Sequence, residues 1–208
     1  VWRQPGKNGN ADDPSNWLEN GEPATRGPDA ETDIVLPAAP DNTPYLACFT
    51  RSWNRRARKW EHERLMVRHV YVGRNAGLDL ATNSGQQVYG RSQFFWRVWE
   101  PNNCATLEVH GNVFAATGGF VYARMQFAGS KHTFCRIPSE SAMSAFNRLH
   151  VTKTEGASVT VLSKRLDVAA GIDVESGTLS TAPDTALSFN RRYESRDKPA
   201  AAKHARRE

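Results

Sequence analysis

Long hydrophobic runs are missing from this 208-residue chain. No stretch approaches the roughly 18 consecutive apolar residues of a membrane-spanning helix, so the sequence predicts no membrane span. Cysteine is scarce as well: the three cysteines are Cys48, Cys104 and Cys135, and no two stand at C-x-x-C spacing. This argues against a zinc site and against a small disulfide-dense fold. One disulfide with three alternative pairings, or buried thiols acting as small apolar side chains, both stay open.

Familiar catalytic motifs are missing too. The sequence contains no H-E-x-x-H, no G-x-S-x-G, no Walker loop and no G-x-G-x-x-G, and its six histidines include no pair at metal-ligand spacing. Nothing in the sequence pairs two carboxylates for glycoside cleavage. We therefore predict no catalytic residue, no metal, no cofactor and a function that is not enzymatic.

A strand-after-strand rhythm fills residues 127–181. Pairs of apolar residues with one residue between them recur there, and each pair places two side chains on the same face of an extended segment. The segments between pairs are too short for helices. The pairs are Leu149 and Val151, Val159 and Val161, Leu166 and Val168, and Ile172 and Val174.

Turn residues mark the corners between these strands, at Glu155-Gly156, Ser163-Lys164, Ala170-Gly171 and Ser176-Gly177. Two architectures fit: an antiparallel β-sandwich of hairpins, and a parallel β-solenoid that stacks its inward apolar pairs into one core. Hairpins prefer Asn-Gly or Asp-Gly loops, and this stretch contains neither. We therefore predict an all-β fold with a parallel β-solenoid body, with the β-sandwich as the alternative.

The same stretch resembles the repeat of secreted β-helical surface proteins of bacteria. The likeness rests on the order F-x-G-S, F-x-x-L-x-V, G-x-x-V-x-V, L-x-V and I-x-V-x-S-G-T-L between Phe127 and Leu179. The N-terminus is similar to the segment that opens such proteins, W…NW…G…P…D-x-V-x-P, through Trp2, Asn16-Trp17, Gly21, Pro23 and Asp33-Ile34-Val35-Leu36-Pro37. The resemblance implies surface structure, adhesion or glycan contact, and no catalytic residue.

Composition fits a single extended domain. Hydrophobic residues make up 39% of the chain and aromatic residues 10%, which is enough for one sizeable core at this length. The chain starts at Val1 without a charged-then-apolar leader, so we expect either a mature protein after signal-peptide removal or a piece of a longer protein. The predicted location is secreted, extracellular or at the cell surface.

Charge divides the chain into four segments. Residues 1–50 form an acidic N-terminal segment of net charge −5, and residues 51–64 form a basic cap or arm of net charge +4. Residues 65–190 form the body with +2, and residues 191–208 form a basic C-terminal arm with +4. The overall charge of +5 therefore hides opposite charges at the two ends.

The basic C-terminal arm has almost no apolar residue after Tyr193, so it cannot offset the entropy of folding by itself. Its charge complements that of the acidic N-terminal segment, and we predict that it pairs with this segment of a neighbouring copy in a homo-oligomer or polymer. An arm that lies on its own domain is the alternative. The predicted assembly residues are Arg191, Arg192, Arg196, Arg206, Arg207, Asp12, Asp13 and Glu31.

A basic stretch with two tryptophans precedes the body. Over residues 52–65 the apolar side chains fall near one helical stripe, which predicts a short helical or irregular cap over the end of the solenoid. The alternative is an arm that contacts polyanions such as nucleic acid through Arg55, Arg56, Arg58 and Lys59. Two glutamates interrupt the basic face, so the cap is preferred and nucleic acid is not the expected partner.

Aromatic residues cluster again within residues 93–103. Flat rings bind sugars by stacking on their C–H faces, and neighbouring polar side chains bond the hydroxyls. Strand alternation would turn half of these residues inward, so burial in the core is the competing interpretation. The residues of this glycan platform would be Trp96, Arg97, Trp99 and Asn102.

The sequence therefore predicts a self-associating structural subunit of an extracellular fibre, surface layer or shell. A glycan-binding or glycan-processing β-helix module is the second hypothesis. A virion structural protein or a nucleic-acid-binding protein is the third.

Overall fold

The computed structural model describes residues 1–40, 44–49, 52–54, 59–61, 64–80, 105–137, 145–146, 148–168 and 171–189. Within these ranges one 3-10 helical turn, Pro14–Asn16, accompanies twenty-two β-strands. In chain order they are β1 (Gly9–Asn10), β2 (Leu18–Glu19), β3 (Glu22–Pro23), β4 (Ile34–Leu36), β5 (Tyr45–Cys48), β6 (Ser52–Asn54), β7 (Lys59–Glu61), β8 (Arg64–Val67), β9 (Val70–Val72), β10 (Ala76–Asp79), β11 (Thr106–Val109), β12 (Val113–Ala115), β13 (Phe120–Tyr122), β14 (Arg124–Gly129), β15 (Thr133–Arg136), β16 (Ala145–Phe146), β17 (Arg148–Lys153), β18 (Ser158–Val161), β19 (Arg165–Val168), β20 (Ile172–Ser176), β21 (Thr178–Thr181) and β22 (Ala186–Phe189).

Parallel pairing dominates the fold. Four parallel sheets have the spatial orders β1-β5-β10-β13, β20-β17-β14-β11-β8, β21-β18-β15-β12-β9-β4 and β16-β19-β22, and we name each by its number of strands. From β8 onward, successive members of the five-stranded and six-stranded sheets are three strands apart in sequence. The all-β prediction is confirmed. Because these four sheets are parallel, the alternative of antiparallel hairpins in a β-sandwich is wrong for them, and antiparallel pairing of strands among the described residues is confined to β2 with β3 and β6 with β7.

The spacing between partner strands explains the parallel order. Neighbouring parallel strands need a connection of a dozen or more residues between them. Thr106 lies opposite Arg124, and Arg124 lies opposite Arg148, so 18 and 24 residues separate the partners. Two further strands in other sheets fill each of these connections. We call three consecutive strands from β8 onward, one in each of three sheets, a three-strand unit.

Apolar rows run through the units on their inward faces. Of the predicted pairs, those of β17, β18 and β19 are core residues, each at most 1% exposed: Leu149, Val151, Val159, Val161, Leu166 and Val168. In the five-stranded sheet Leu149 continues a buried row formed by Leu65, Leu107 and Met125. Removing such rows from water is the main driving force for the fold.

The last predicted pair behaves differently. Ile172 and Val174 lie opposite Leu149 and Val151 in β20, yet Ile172 is only half-buried and Val174 is 45% exposed. The strand β20 is the edge of its sheet. Ile172 still packs against the core, whereas the prediction of a core residue is wrong for Val174, because no described strand covers this face.

One corner is closed tightly by glycine. At Gly73, directly after β9, a Cβ atom would lie 2.3 Å from the backbone nitrogen of Ala38. A side chain at this position would therefore push apart the corners that follow β4 and β9, which a hydrogen bond from Gly73 N–H to the Leu36 carbonyl holds together at 2.7 Å.

Two tryptophans anchor the N-terminal segment against the first strands. The rings of Trp2 and Trp17 are at most 4% exposed and pack edge to face with centroids 5.0 Å apart. Trp17 Nε1 donates a hydrogen bond to the Ala11 carbonyl, and the Trp2 N–H donates one to Val35 on β4 at 2.8 Å. The edge strand β4 of the six-stranded sheet is thereby covered.

The predicted helix over residues 52–65 is wrong wherever the structure describes this stretch. The strands β6 and β7 pair antiparallel with Trp53 opposite Trp60, and β8 begins at Arg64. A helix of this length is marginal in water without caps, whereas a strand pair places two aromatic residues in cross-strand register. The function of this stretch as a cap stays a prediction.

Candidate functional site

The acidic residues predicted for assembly lie in two turns of the N-terminal segment. Asp12 is half-buried, whereas Asp13 and Glu31 are exposed. Asp13 caps the 3-10 turn by accepting a hydrogen bond from Ser15 N–H at 2.9 Å, and the hydrogen bonds from Ser15 lower the pKa of Asp13. Asp13 therefore already has a local structural function.

Two other carboxylates of this segment are paired within the chain. Asp33 accepts a bidentate pair of hydrogen bonds from Arg68, with distances of 2.7 and 2.9 Å, and this contact lowers the pKa of Asp33. Asp29 lies 2.7 Å from Arg26. These two carboxylates are thus already engaged by the body and by their own segment.

The remaining sequence-predicted site residues lie outside the part of the chain that the structure describes. This applies to the basic arm, the aromatic platform and most of the polyanion contact: Arg191, Arg192, Arg196, Arg206, Arg207, Trp96, Arg97, Trp99, Asn102, Arg55, Arg56 and Arg58. Lys59 is the first residue of β7, and its backbone alone is described. Contacts of these residues stay predictions.

A polar cluster lies on the outer face of the five-stranded sheet. The Glu108 side chain is 9% exposed and is held by Arg64 Nη1 at 2.7 Å and by His110 Nε2 at 2.8 Å. A buried carboxylate needs such partners, since an unpaired charge would be costly. The cluster ties β8 to β11 and leaves Glu108 engaged on both of its oxygens.

Glu108 and Asp173, on two strands of this sheet, are too far apart for glycoside cleavage. Glu108 on β11 and Asp173 on β20 are three strand positions apart, which places their backbones about 14 Å from each other. Paired catalytic carboxyl groups stand roughly 5–9.5 Å apart. Asp173 and Glu175 instead approach His150 Nε2, at 3.9 and 3.2 Å, as exposed side chains.

Cysteine side chains and possible metal ligands form no cluster among the described residues. Cys135 is a free thiol in the apolar row of the six-stranded sheet, and burial raises its pKa to about 12, so it stays protonated and unreactive. Cys48 is half-buried, and Cys104 lies outside the described ranges. No group of three or more His, Cys, Asp or Glu side chains converges on a metal position in the part described.

A buried lysine lies beside the last strands. Lys153 is 1% exposed, and its Nζ donates hydrogen bonds of 2.6 Å to the Ala128 carbonyl and to Thr133 Oγ1. Desolvation lowers the pKa of Lys153 to about 8. Gly177, between β20 and β21, packs so closely that a Cβ there would lie 2.5 Å from Lys153 Cβ. The corner after β20 therefore helps to exclude water from Lys153.

An open groove of about 1070 Å³ runs along the outer face of the six-stranded sheet. Its floor includes one outward residue from each of four neighbouring strands: Val35, Tyr71, Phe114 and Arg136. The Tyr71 and Phe114 rings stack with centroids 6.0 Å apart and planes 21° apart. Strand pairing thus assembles residues that are far apart in sequence into one surface.

The terminal unit, comprising β20, β21 and β22, is the most exposed part of the described body. Val174 is 45% exposed although its partner Val151 is fully buried, and Leu187 is 44% exposed although its partner Leu166 is 1% exposed. Residues 171–189 also carry three carboxylates and no basic residue. The core rows therefore end on an open, acidic face with apolar side chains uncovered.

Comparisons with protein-family models, with curated proteins and with solved structures gave no match. Within the described ranges, no helix has the length and apolar character needed to cross a membrane.

Sequence reasoning missed the groove, although a signal was present. The segments H-V-Y-V-G at residues 69–73 and N-V-F-A-A at residues 112–116 share a valine followed by an aromatic residue. Aligning the two would have placed Tyr71 beside Phe114 on neighbouring strands. Arg136 carries no such local signal, because only the register of β15 against β12 brings it to the groove.

Proposed function

We propose that this chain is a non-enzymatic structural module, secreted or displayed at a cell surface, whose three-strand units form a closed parallel β-solenoid. Parallel sheets whose neighbouring strands are three apart in sequence from β8 onward support the architecture. The outward polar groups of the five-stranded sheet support a structural function, because Glu108 is held by Arg64 and His110 rather than paired with a second carboxylate.

The observation that carries this proposal is the difference between the two ends. Trp2 and Trp17 pack against the first strands, whereas Val174 and Leu187 leave apolar surface uncovered on the terminal unit. Unpaired strand edges and exposed apolar side chains at the end of a parallel stack are a surface for association. The occupant that we propose is the terminal unit of a second copy.

The covered N-terminal end favours a contact between two terminal units over head-to-tail stacking. Head-to-tail stacking would require an open strand edge at both ends, and the Trp2 N–H already occupies the β4 edge. The basic arm does not supply another apolar unit, since its sequence has almost no apolar residue after Tyr193. Two identical faces then meet in an isologous, closed dimer, which is the commonest symmetry of homo-oligomers.

The test is a light-scattering comparison of two single variants with the full wild-type chain. Val174→Asp places a charge on the proposed interface, and Met66→Asp is the matched control, because Met66 is 42% exposed at an outward position of β8. We expect a concentration-dependent dimer for the wild type and for Met66→Asp, and a folded monomer for Val174→Asp. A wild-type monomer, or a dimer that Val174→Asp leaves intact, would contradict the proposal.

A chain that ends at residue 190 tests the sequence-based alternative, association through the basic arm. If the apolar face holds the dimer, this shortened chain still dimerises. Loss of the dimer on removal of residues 191–208 would instead assign assembly to the arm.

A further inference from the structure

The groove on the six-stranded sheet runs across the strands. Its lining comes from the strands β4, β9, β12 and β15 and from the corner after β18, so it crosses five strand positions. At the usual strand separation this path is about 19 Å long. An extended chain molecule fits this shape better than a compact ligand does.

The two halves of the groove differ in chemistry. The half on β9 and β12 is the stacked Tyr71–Phe114 pair, and Tyr71 is 36% exposed. The half on β15 and after β18 carries two exposed cations, Arg136 and Lys164. Neither cation has a carboxylate within ion-pair distance among the described residues, and no described lining residue is acidic.

We propose that this groove binds a segment of an acidic polysaccharide, with carboxylated sugars at the Arg136 end. Pyranose rings present apolar C–H faces that pack on aromatic side chains. The guanidinium of Arg136 matches a carboxylate in a bidentate geometry, and Lys164 contributes a second positive charge nearby. This binding site is distinct from the dimer contact, because no residue of the terminal unit is part of the groove's described lining.

The geometry favours an acidic glycan over single-stranded nucleic acid. A phosphate follows every nucleotide of a single strand, so a nucleic-acid site needs cations along its whole length. Here the cations of the described lining are confined to one end. A polysaccharide in which carboxylated and neutral sugars alternate matches this distribution of charge better.

The experiment is affinity electrophoresis of the full chain through gels that contain hyaluronan, dextran or no polymer, followed by titration with a hyaluronan oligosaccharide. In hyaluronan a carboxylated sugar alternates with a neutral one, whereas dextran is neutral throughout. We expect retardation by hyaluronan and none by dextran. The double variant Arg136→Gln/Lys164→Gln should weaken binding about tenfold or more, because it removes both charge-assisted contacts. Lys131→Gln is the matched control, since Lys131 is an exposed cation that does not line the groove.

Four outcomes would overturn the proposal. These are no retardation of the wild type by hyaluronan, equal retardation by dextran, unchanged binding by Arg136→Gln/Lys164→Gln, and binding of single-stranded DNA as tight as that of the hyaluronan oligosaccharide. Circular dichroism of each variant shows whether a loss of binding comes from the groove or from the fold. Phe114→Ala provides a second check. This variant keeps both cations, yet it should bind more weakly than the wild type, because the aromatic half of the groove contributes to binding.

Discussion

The two ends of the described body differ in how their apolar rows finish. At the N-terminal end Trp2 and Trp17 are buried against the first strands, and the Trp2 N–H occupies the β4 edge. At the other end the rows run into β20 and β22 with Val174 and Leu187 nearly half exposed. The same alternation of apolar and polar residues thus gives a buried side chain in one strand and an exposed side chain in the next strand of the row.

This difference shows that burial in a parallel stack is a property of the neighbouring strand. Val151 and Val174 are the same residue type in the same row, and their exposures are 0% and 45%. The pattern within a strand sets which way a side chain faces, whereas the presence of a strand on either side decides whether water reaches it. An end without a cover is therefore where our proposal places a partner.

The largest contrast is expected between Val161→Asp and Val174→Asp. Val161 is fully buried, so an aspartate there places an unpaired charge in the core and should abolish folding, a loss of more than about 4 kcal/mol. Val174→Asp should fold. Circular dichroism and urea unfolding compare the two, and a Val161→Asp protein as stable as Val174→Asp would refute the assignment of the inward row.

The next contrast concerns large-to-small substitutions at the two ends. Trp17→Ala removes a buried ring from the N-terminal end and should cost about 3–5 kcal/mol of unfolding free energy. Leu187→Ala should cost the monomer less than about 1 kcal/mol, because Leu187 is largely exposed. Chemical denaturation at low protein concentration measures both values. Equal costs would mean that the two ends are equally well covered.

Lys153 reports how well the terminal unit excludes water. Burial lowers its pKa from 10.5 to about 8, so between these pH values the unfolded chain binds more protons than the folded one. The unfolding free energy of the wild type minus that of Lys153→Met should therefore rise with pH over this window, by about 1–3 kcal/mol. The buried Cys135 thiol has an opposite pH dependence, and it cancels in this difference because both chains contain it. Lys131→Met minus Lys153→Met should show the same rise. A difference that does not change with pH would show that water reaches Lys153.

The smallest effect is expected at the surface ion pair of the N-terminal end. Arg68 lowers the pKa of Asp33, so the pair stabilises the fold above the ordinary carboxyl pKa of 3.8 and loses this effect as the pH falls through lower values. Asp33→Asn should cost at most about 1 kcal/mol at pH 7, since both side chains are partly exposed. Asp184→Asn, in the terminal unit, is the control and should change stability less. Thermal unfolding at pH 7 and pH 3 compares the two, and a larger loss for Asp184→Asn would reverse the assignment.

Local alternation was enough to predict the strands β17 to β19 and the corners between them. Leu149, Val159 and Leu166 face the core as expected. In an extended segment, residues two apart lie on the same face, so the apolar pairs fix which face is buried. The same reasoning failed at Val174, where burial depends on a following strand. It also failed over residues 52–65, where a helical stripe and a pair of short strands share the same apolar spacing.

The groove could not be predicted from periodicity, because register across strands depends on the length of each connection. Phe114 is 43 residues after Tyr71, whereas Arg136 is 22 residues after Phe114, and both steps lead to a directly neighbouring strand. Because these connections differ in length, no fixed sequence period predicts the row of Tyr71, Phe114 and Arg136. The candidate residues singled out for their aromatic or basic character lie elsewhere in the chain and stay predictions.

The most direct test of the central claim is light scattering of the full chain over a range of concentrations at low and high salt. Our account predicts a dimer that persists or tightens as salt rises, because the contact is apolar and the carboxylates of two facing terminal units repel each other less when screened. A monomer at every concentration and both salt levels would contradict it. So would an oligomer that dissociates with salt, since that behaviour belongs to oppositely charged termini.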